Sequence, residues 1–301
     1  MLSVQTQSLA ERLLRQIGVQ GVRPVHLRDG REHHLFRVSL DDGERVLKFP
    51  KRDAIPDPFT LGRSSGERLC SEAIAVDLVR QVPVPRPYEI FATDPVCALM
   101  AFVPGTTAEI AYERGQLDED GLLNMCLQMG RTLANIHRVR RPEGLHELPD
   151  LEAAEPDRMR LVHLDYHLGN VLAQRQLGGS WNITAVIDWT CARWGPPEAD
   201  FVELQVSVFI NNPRARDAMI AGYRQVAPRV VSVKDIETRA VAEIRRRLAV
   251  DPPDAQTARA WVRWVASRST CGISWCQPMT SARGRPSPTC QGSRPPSSDL
   301  W

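Results

Sequence analysis

The dominant hydrophobic period of this chain changes close to Gly105, and that change points to a sheet-rich part followed by a mostly helical one. Before Gly105, short apolar runs alternate with turn residues. HLFRVSL and ERVLKFP flank Asp41-Asp42-Gly43, and Asp-Gly supplies the positive-φ residues of a tight hairpin. A helix is expected from about Gly66 to Gln81, where Leu69, Ala73, Val76 and Leu78 recur at helical spacing. It must stop before VPVPRP, because Pro83, Pro85 and Pro87 donate no backbone hydrogen bond and force an extended path. CALMAFVPG then reads as a buried strand ending at Pro104-Gly105. Near the start, Leu9, Leu13 and Ile17 mark one face of an amphipathic helix.

After Gly105 the spacing becomes helical. Leu122, Met125, Met129, Leu133 and Ile136 describe a long helix with one buried face. A second hairpin interrupts the helices, with VLAQ and ITAVID on either side of Leu177-Gly178-Gly179-Ser180. Helical patterning returns from Phe201 to Arg268. The expected fold is α+β in two lobes: a sheet-rich lobe over 1–102, a mostly helical lobe over 103–268, and a tail over 269–301. The tail is rich in Ser, Pro, Thr, Arg and Gly and has one acid, Asp299. Such a composition buries too little apolar area to offset its ordering entropy, so disorder is expected there.

Composition removes several functional classes. The net charge is +2 over 301 residues with dispersed arginines, unlike the concentrated basic stripe that phosphate-backbone binding requires. No run of about 18 apolar residues is present. The first twenty residues lack the basic start, apolar middle and small-residue end of a secretion signal, so the expected location is the cytoplasm. The seven cysteines form no C-x-x-C pair, and Cys70, Cys97, Cys126 and Cys191 read as small core residues in a reducing compartment.

The chemistry concentrates in LVHLDYHLGNVLAQ and WNITAVIDWT. If the strands on either side of the Gly-Gly turn pair, Asn170 at the start of one lies beside Asp188 at the end of the other. Asp165 then projects from the loop next to them. Two oxygen-bearing side chains suit magnesium, a hard ion that takes few protein ligands and completes its shell with water and substrate phosphates. A third carboxylate is left to accept a proton from an attacking hydroxyl. Metal, base and hairpin together fit phosphoryl transfer. Val46 and Lys48 share one strand face while Leu47 and Phe49 take the other, so Lys48 can enter a cleft.

The pattern H-x-D-x-x-x-x-N, with Asp-Trp 18 residues beyond the Asn, resembles the aminoglycoside phosphotransferase and choline kinase-like family. The likeness runs from about Gly30 to Phe201. It implies a two-lobed protein-kinase-like fold and an ATP-dependent, magnesium-dependent kinase of small-molecule hydroxyls. By this resemblance Asp165 is the catalytic base, His163 organises the loop, and Asn170 and Asp188 hold magnesium. Lys48 contacts the nucleotide phosphates, paired with Glu72 or with Glu67. MAFVPG looks like the family's hinge, with the backbone of Ala101, Phe102 and Val103 holding adenine. GPPEADF looks like a downstream element in which Asp200 braces the catalytic loop. The chain departs from the family in having Leu164 for the usual Gly, Leu168 for the usual Pro, and only Gly30 in the phosphate-covering loop.

A rival reading takes His163, Asp165 and His167 as a transition-metal cluster of a hydrolase, but it leaves Lys48, Asn170 and Asp188 without roles. A nucleotide-binding pseudokinase, or a kinase impaired by its tail, is the other alternative. The acceptor could be an aminoglycoside, another antibiotic, an amino alcohol or a sugar. Acids gather at Glu109, Glu113, Asp118, Glu119 and Asp120, whereas the region after Phe201 is rich in arginine and suggests a less cationic acceptor. His33 and His34 read as loop residues near the cleft. Trp189 and Trp194 read as packing residues.

Overall fold

The computed structural model describes residues 4–30, 32–51, 63–151, 156–227, 231–250 and 253–268. The expected disordered tail, 269–301, lies outside the described residues. Helix α1 (Val4–Gln16) precedes three strands, β1 (Val25–Asp29), β2 (His33–Leu40) and β3 (Gly43–Pro50). Helix α2 (Ser65–Leu78) follows, then β4 (Tyr88–Phe91) and β5 (Cys97–Ala101). These strands form one antiparallel sheet in the order β1-β2-β3-β5-β4.

Strand alternation gives the sheet two unlike faces. Leu47, Phe49, Phe36 and Val38 are buried on the face that α1 covers with Ala10, Leu13 and Leu14. Phe36 and Phe49 stack there with ring centroids 5.7 Å apart. Val46 and Lys48 turn to the opposite face, which looks into a cleft. Helix α2 begins at a capping box in which Ser64 and Glu67 satisfy each other's backbone N–H groups.

The connector passes Gly105, whose φ is +140°; a Cβ there would lie 2.7 Å from the Ala173 carbonyl oxygen, so only glycine fits. Beyond it come β6 (Thr106–Thr107), α3 (Ala108–Glu113) and α4 (Glu119–Ile136). The hairpin of β8 (Val171–Arg175) and β9 (Trp181–Val186) forms with β6 a three-stranded sheet. A two-stranded ribbon of β7 (Arg160–Val162) and β10 (Arg193–Gly195), not anticipated from the sequence, frames it. Helices α5 (Val202–Leu204), α6 (Pro213–Arg224), α7 (Val233–Val250) and α8 (Ala255–Arg268) complete the described chain, with a π-helical turn over Gln205–Phe209 after α5.

One apolar core runs from Ala75 and Val76 of α2 through α4 to α6. Helices α4 and α6 meet backbone to backbone. A Cβ at Gly130 would lie 2.0 Å from the Met219 carbonyl oxygen, and one at Gly222 would lie 2.0 Å from that of Leu127. Trp189 and Trp194 are fully buried, as packing residues should be. Cys97 and Cys126 are buried, but Cys70 is exposed on α2 and is not a core residue.

Candidate active site

The cleft between the sheet and the hairpin has a volume of about 370 Å³. Lys48, Glu72, Asp165, Asn170, Asp188 and the backbone segment Ala101–Val103 all line it. Elements far apart in the chain therefore converge on one space.

Lys48 is 4% exposed, and its Nζ donates to Glu72 Oε2 at 2.7 Å and to Asp188 Oδ1 at 2.9 Å. Glu72 Oε1 accepts the Trp189 N–H at 3.2 Å, so this one carboxylate joins α2, β3 and the turn after β9. Glu67, the competing partner, caps α2 instead. Asp188 adopts a left-handed conformation, φ +62°, and Oδ1 also accepts from Thr190 Oγ1 at 3.0 Å. Burial alone would raise the Asp188 carboxyl, but the ammonium of Lys48 outweighs it and holds the group well below the usual carboxylate range. Burial likewise opposes the charge on Lys48, yet Asp188 and Glu72 push its pKa above the ordinary value.

Register brings the second carboxylate alongside. Val171 pairs with Val186, and the Ile187 N–H donates to the Asn170 carbonyl at 3.0 Å, which sets Asn170 beside Asp188. The Asn170 amide donates to Asp165 Oδ2 at 2.8 Å and to the Asp165 carbonyl at 2.9 Å. With its N–H₂ so engaged, Asn170, which lines the cleft, keeps its side-chain oxygen as a free acceptor. The donor set left facing the cleft is therefore a neutral amide oxygen and the Asp188 carboxylate, hard oxygen ligands that fit magnesium.

His163 is fully buried, and both ring nitrogens are engaged. Nε2–H donates to the Ile187 carbonyl at 3.1 Å, and Nδ1 accepts the Asp165 N–H at 3.3 Å. The ring also lies 4.6 Å from that of Trp189. His167 accepts the Gly169 N–H at Nδ1, at 3.1 Å, leaving Nε2–H directed at Asp165 Oδ1, 3.5 Å away. The two imidazoles thus do not converge on a common point, and the transition-metal cluster loses its geometric basis. Burial alone would raise the Asp165 carboxyl, but the hydrogen bond and charge of His167 hold it below its ordinary value.

Asp200, 1% exposed, braces the loop from behind. Its carboxylate accepts the backbone N–H of His163 at 2.9 Å and of Leu164 at 2.5 Å, together with His137 Nε2–H at 2.9 Å. Tyr166 donates to the Met129 carbonyl at 3.0 Å and pins the loop to α4. Leu164 has φ +65°, a left-handed conformation costing a branched residue about 1–2 kcal/mol. Asp200 holds the loop in that conformation. Replacing Leu164 by Gly should relieve the strain and raise stability by no more than about 1 kcal/mol after glycine's entropic cost. A lower urea midpoint in Leu164→Gly would instead assign the residue a packing role.

In the hinge segment, the Ala101 N–H donates to the Pro87 carbonyl at 2.9 Å and the Phe102 N–H to the Glu44 carbonyl at 3.0 Å. Both are committed within the sheet. Among the described residues, the Val103 N–H makes no backbone hydrogen bond, which narrows the hinge donor expected over Ala101–Val103 to that one group.

Arg68 was not assigned to this cleft from the sequence, and His33 was expected near it but in a loop. His33 is not a loop residue: it opens β2, is 4% exposed, and lines the cleft with Glu32 and Arg68. Burial, then the nearby Lys48 charge, lowers its pKa to about 3. Strand alternation carries the missed signal, because His33 and Leu35 stand on the face to which Lys48 belongs. The arginines after Phe201 are largely paired: Arg247 with Glu203 and Glu243, Arg216 with Glu237, Arg214 with Glu119. Cations still outnumber acids over 202–268, so the pairing reduces the positive charge of this region without cancelling it.

An antiparallel sheet with one buried helix, joined at a cleft to a helical region carrying a braced H-x-D-x-x-x-x-N loop, defines a two-lobed, protein-kinase-like phosphotransferase fold. The family model described as the APH phosphotransferase enzyme family matches residues 25–152 and 145–233, and the chain belongs to that family. Solved structures agree on the fold. A spectinomycin phosphotransferase complexed with ADP and spectinomycin superposes with a TM-score of 0.53 at 13% identity, covering 86% of this chain and 93% of that one. The ADP-bound aminoglycoside phosphotransferase APH(2'')-Ib gives 0.54 at 15% identity over 88% and 97%. A choline/ethanolamine kinase family protein from Mesorhizobium loti gives 0.51 at 15% identity over 89% and 96%. Among curated protein sequences none matches at a significant level. No helix among the described residues is long and apolar enough to cross a membrane.

Proposed function

We propose that this protein transfers the γ-phosphoryl group of ATP to a hydroxyl of a small molecule, with magnesium. The observation that carries the reading is the Lys48–Glu72–Asp188 chain facing the Asp165–Asn170 pair across one cleft. Lys48, oriented by Glu72, binds the α- and β-phosphates, and the Val103 N–H holds the adenine edge. The Asn170 oxygen and the Asp188 carboxylate would hold magnesium, which when bound neutralises charge on the phosphates and the departing ADP. The proposed lobes are 1–102 and 103–268, with the nucleotide between them.

Asp165 accepts the proton of the acceptor hydroxyl as its oxygen bonds to the γ-phosphorus. The bond from that phosphorus to the β,γ-bridging oxygen breaks, and ADP leaves with the electron pair. His167 keeps Asp165 ionised through its hydrogen bond, and Asn170 fixes the direction of the carboxylate. Support for the acceptor class is chemical: Glu109 lies near His167, and Asp165 adds a second carboxylate, whereas the nearby Glu203 is already paired with Arg247. An acceptor bearing amines, an aminoglycoside or an amino alcohol, suits that side better than an anionic sugar. The cytoplasm, where ATP is abundant, is the proposed location.

Acceptor-stimulated ADP release with a panel of aminoglycosides, macrolides, amino alcohols and sugars tests the reading directly; Mg·ADP binding without stimulation by any of them would favour a non-catalytic nucleotide binder. The pH profile gives a second check. Because Asp165 is held below its ordinary value of 3.8, it is ionised at neutral pH, and kcat/KM should fall only as acid protonates it. His167→Asn removes the lowering influence, so its acid limb should move to higher pH. An unmoved limb would disconnect His167 from the base.

A further inference from the structure

Lys48 has only one donor to spare for a triphosphate. An ammonium has three N–H donors, and two of those on Lys48 are already taken by Glu72 and Asp188. The same end of the cleft holds a second buried cation. Arg68 lies one turn before Glu72 on α2, is 4% exposed and lines the cleft. Its Nη2 is ion-paired with Glu32 and donates to Ser65 Oγ at 3.3 Å. Glu32, 7% exposed, comes from the turn that enters β2 and lines the same cleft.

As a purely structural ion pair this arrangement is poorly finished. Among the described residues Arg68 Nε, Glu32 Oε1 and the adjacent His33 Nε2 are all buried without a hydrogen-bond partner. Leaving buried polar atoms unmade costs free energy that a well-packed structural pair avoids. A phosphate oxygen that drew Arg68 away from Glu32 would give its guanidinium, the buried Nε–H included, the partners it lacks here, and a planar guanidinium is well matched to phosphate. Glu32 has the opposite character. Its carboxylate only accepts, so it repels phosphate and competes with it for the guanidinium.

We propose that Arg68 is a second phosphate-positioning cation of the cleft and that Glu32 competes with the nucleotide for it. The inference rests on the nucleotide reading above and adds two residues to it. A nucleotide draws Arg68 partly away from Glu32, so the pair tunes nucleotide affinity as well as holding the turn before β2 against α2. The two partners therefore have opposite effects on binding, which a structural salt bridge does not produce.

The test is Mg·ADP affinity by calorimetry, with KM for ATP and kcat followed separately. Arg68→Met should weaken Mg·ADP binding about tenfold or more, the worth of one charge-assisted contact, and raise KM more than it lowers kcat. Glu32→Gln should tighten binding about two- to tenfold, on the same scale. Arg68→Met leaves Glu32 buried and unpaired, so the double variant Glu32→Gln/Arg68→Met, which buries no lone charge, secures a folded protein. It should bind Mg·ADP as weakly as Arg68→Met. Wild-type affinity in the double variant, or equal weakening by Glu32→Gln and Arg68→Met, overturns the proposal while leaving the kinase reading intact. Failure of the unaltered protein to bind Mg·ADP removes both.

Discussion

Asp165→Asn should reduce acceptor-stimulated ATP turnover about 10²–10⁴-fold, the range typical of a lost general base, with Mg·ADP binding nearly unchanged. The substitution preserves shape. The asparagine oxygen can still accept from the Asn170 amide, which now donates to Asp165 Oδ2 at 2.8 Å, so loop geometry is retained while the proton acceptor is lost. Asp188→Asn is expected to differ in kind: Lys48 loses the negative charge of its 2.9 Å partner and the metal site loses its charged ligand, so nucleotide binding falls together with turnover. Equal rates in the unaltered protein and Asp165→Asn would sink the assignment of the base. Loss of binding in Asp165→Asn would instead recast the residue as a ligand for the nucleotide or its metal.

Gly222→Ala should be strongly destabilising, a single methyl addition that the helical region cannot accommodate. The added Cβ meets the Leu127 carbonyl oxygen at 2.0 Å, and this obstacle is backbone, which cannot rotate aside. Helices α4 and α6 must therefore separate, and the core that contains Met129, Leu133, Met219 and Tyr223 opens with them. Overpacking typically costs about 1–3 kcal/mol, and a backbone clash belongs at or above the upper end, well beyond alanine's gain of about 1 kcal/mol in helix propensity. A markedly lower thermal midpoint is expected, with turnover lost in parallel because α4 anchors the catalytic loop through Tyr166. Gly130→Ala, facing Met219 across the same contact, should behave alike. An unchanged midpoint in both would mean that the helices pack less closely than described.

Local chemistry is what made the fold readable. The Asp-Gly hairpin, the proline stop after α2 and the switch from alternating to helical spacing each arise within a few residues. The strands His33–Leu40 and Gly43–Pro50 and the helices Ser65–Leu78 and Glu119–Ile136 fall close to expectation for that reason. The ribbon of β7 and β10 escaped notice because each strand has only three residues, too few for a period to show. The pairing of several arginines after Phe201 was hidden for a related reason. Charge along a sequence is one-dimensional, and the partners, such as Glu203 for Arg247, lie more than one turn away.

The amino-acid sequence by itself determined which residues could do chemistry here. It marked the spacing of Asp165, Asn170 and Asp188 around a Gly-Gly turn, and the strand face to which Lys48 belongs, because pleat and turn geometry are local properties. Only the tertiary structure decided between Glu72 and Glu67, since helix capping and ion pairing compete for similar carboxylates and burial selects between them. It added His137 to the Asp200 brace that the family likeness implied, and showed that the brace holds a strained Leu164. It also set Arg68 beside Glu32 and His33 in the cleft that Lys48 lines. These pairings join residues tens of positions apart, and their strength comes from removal from water, which no local pattern in a sequence encodes.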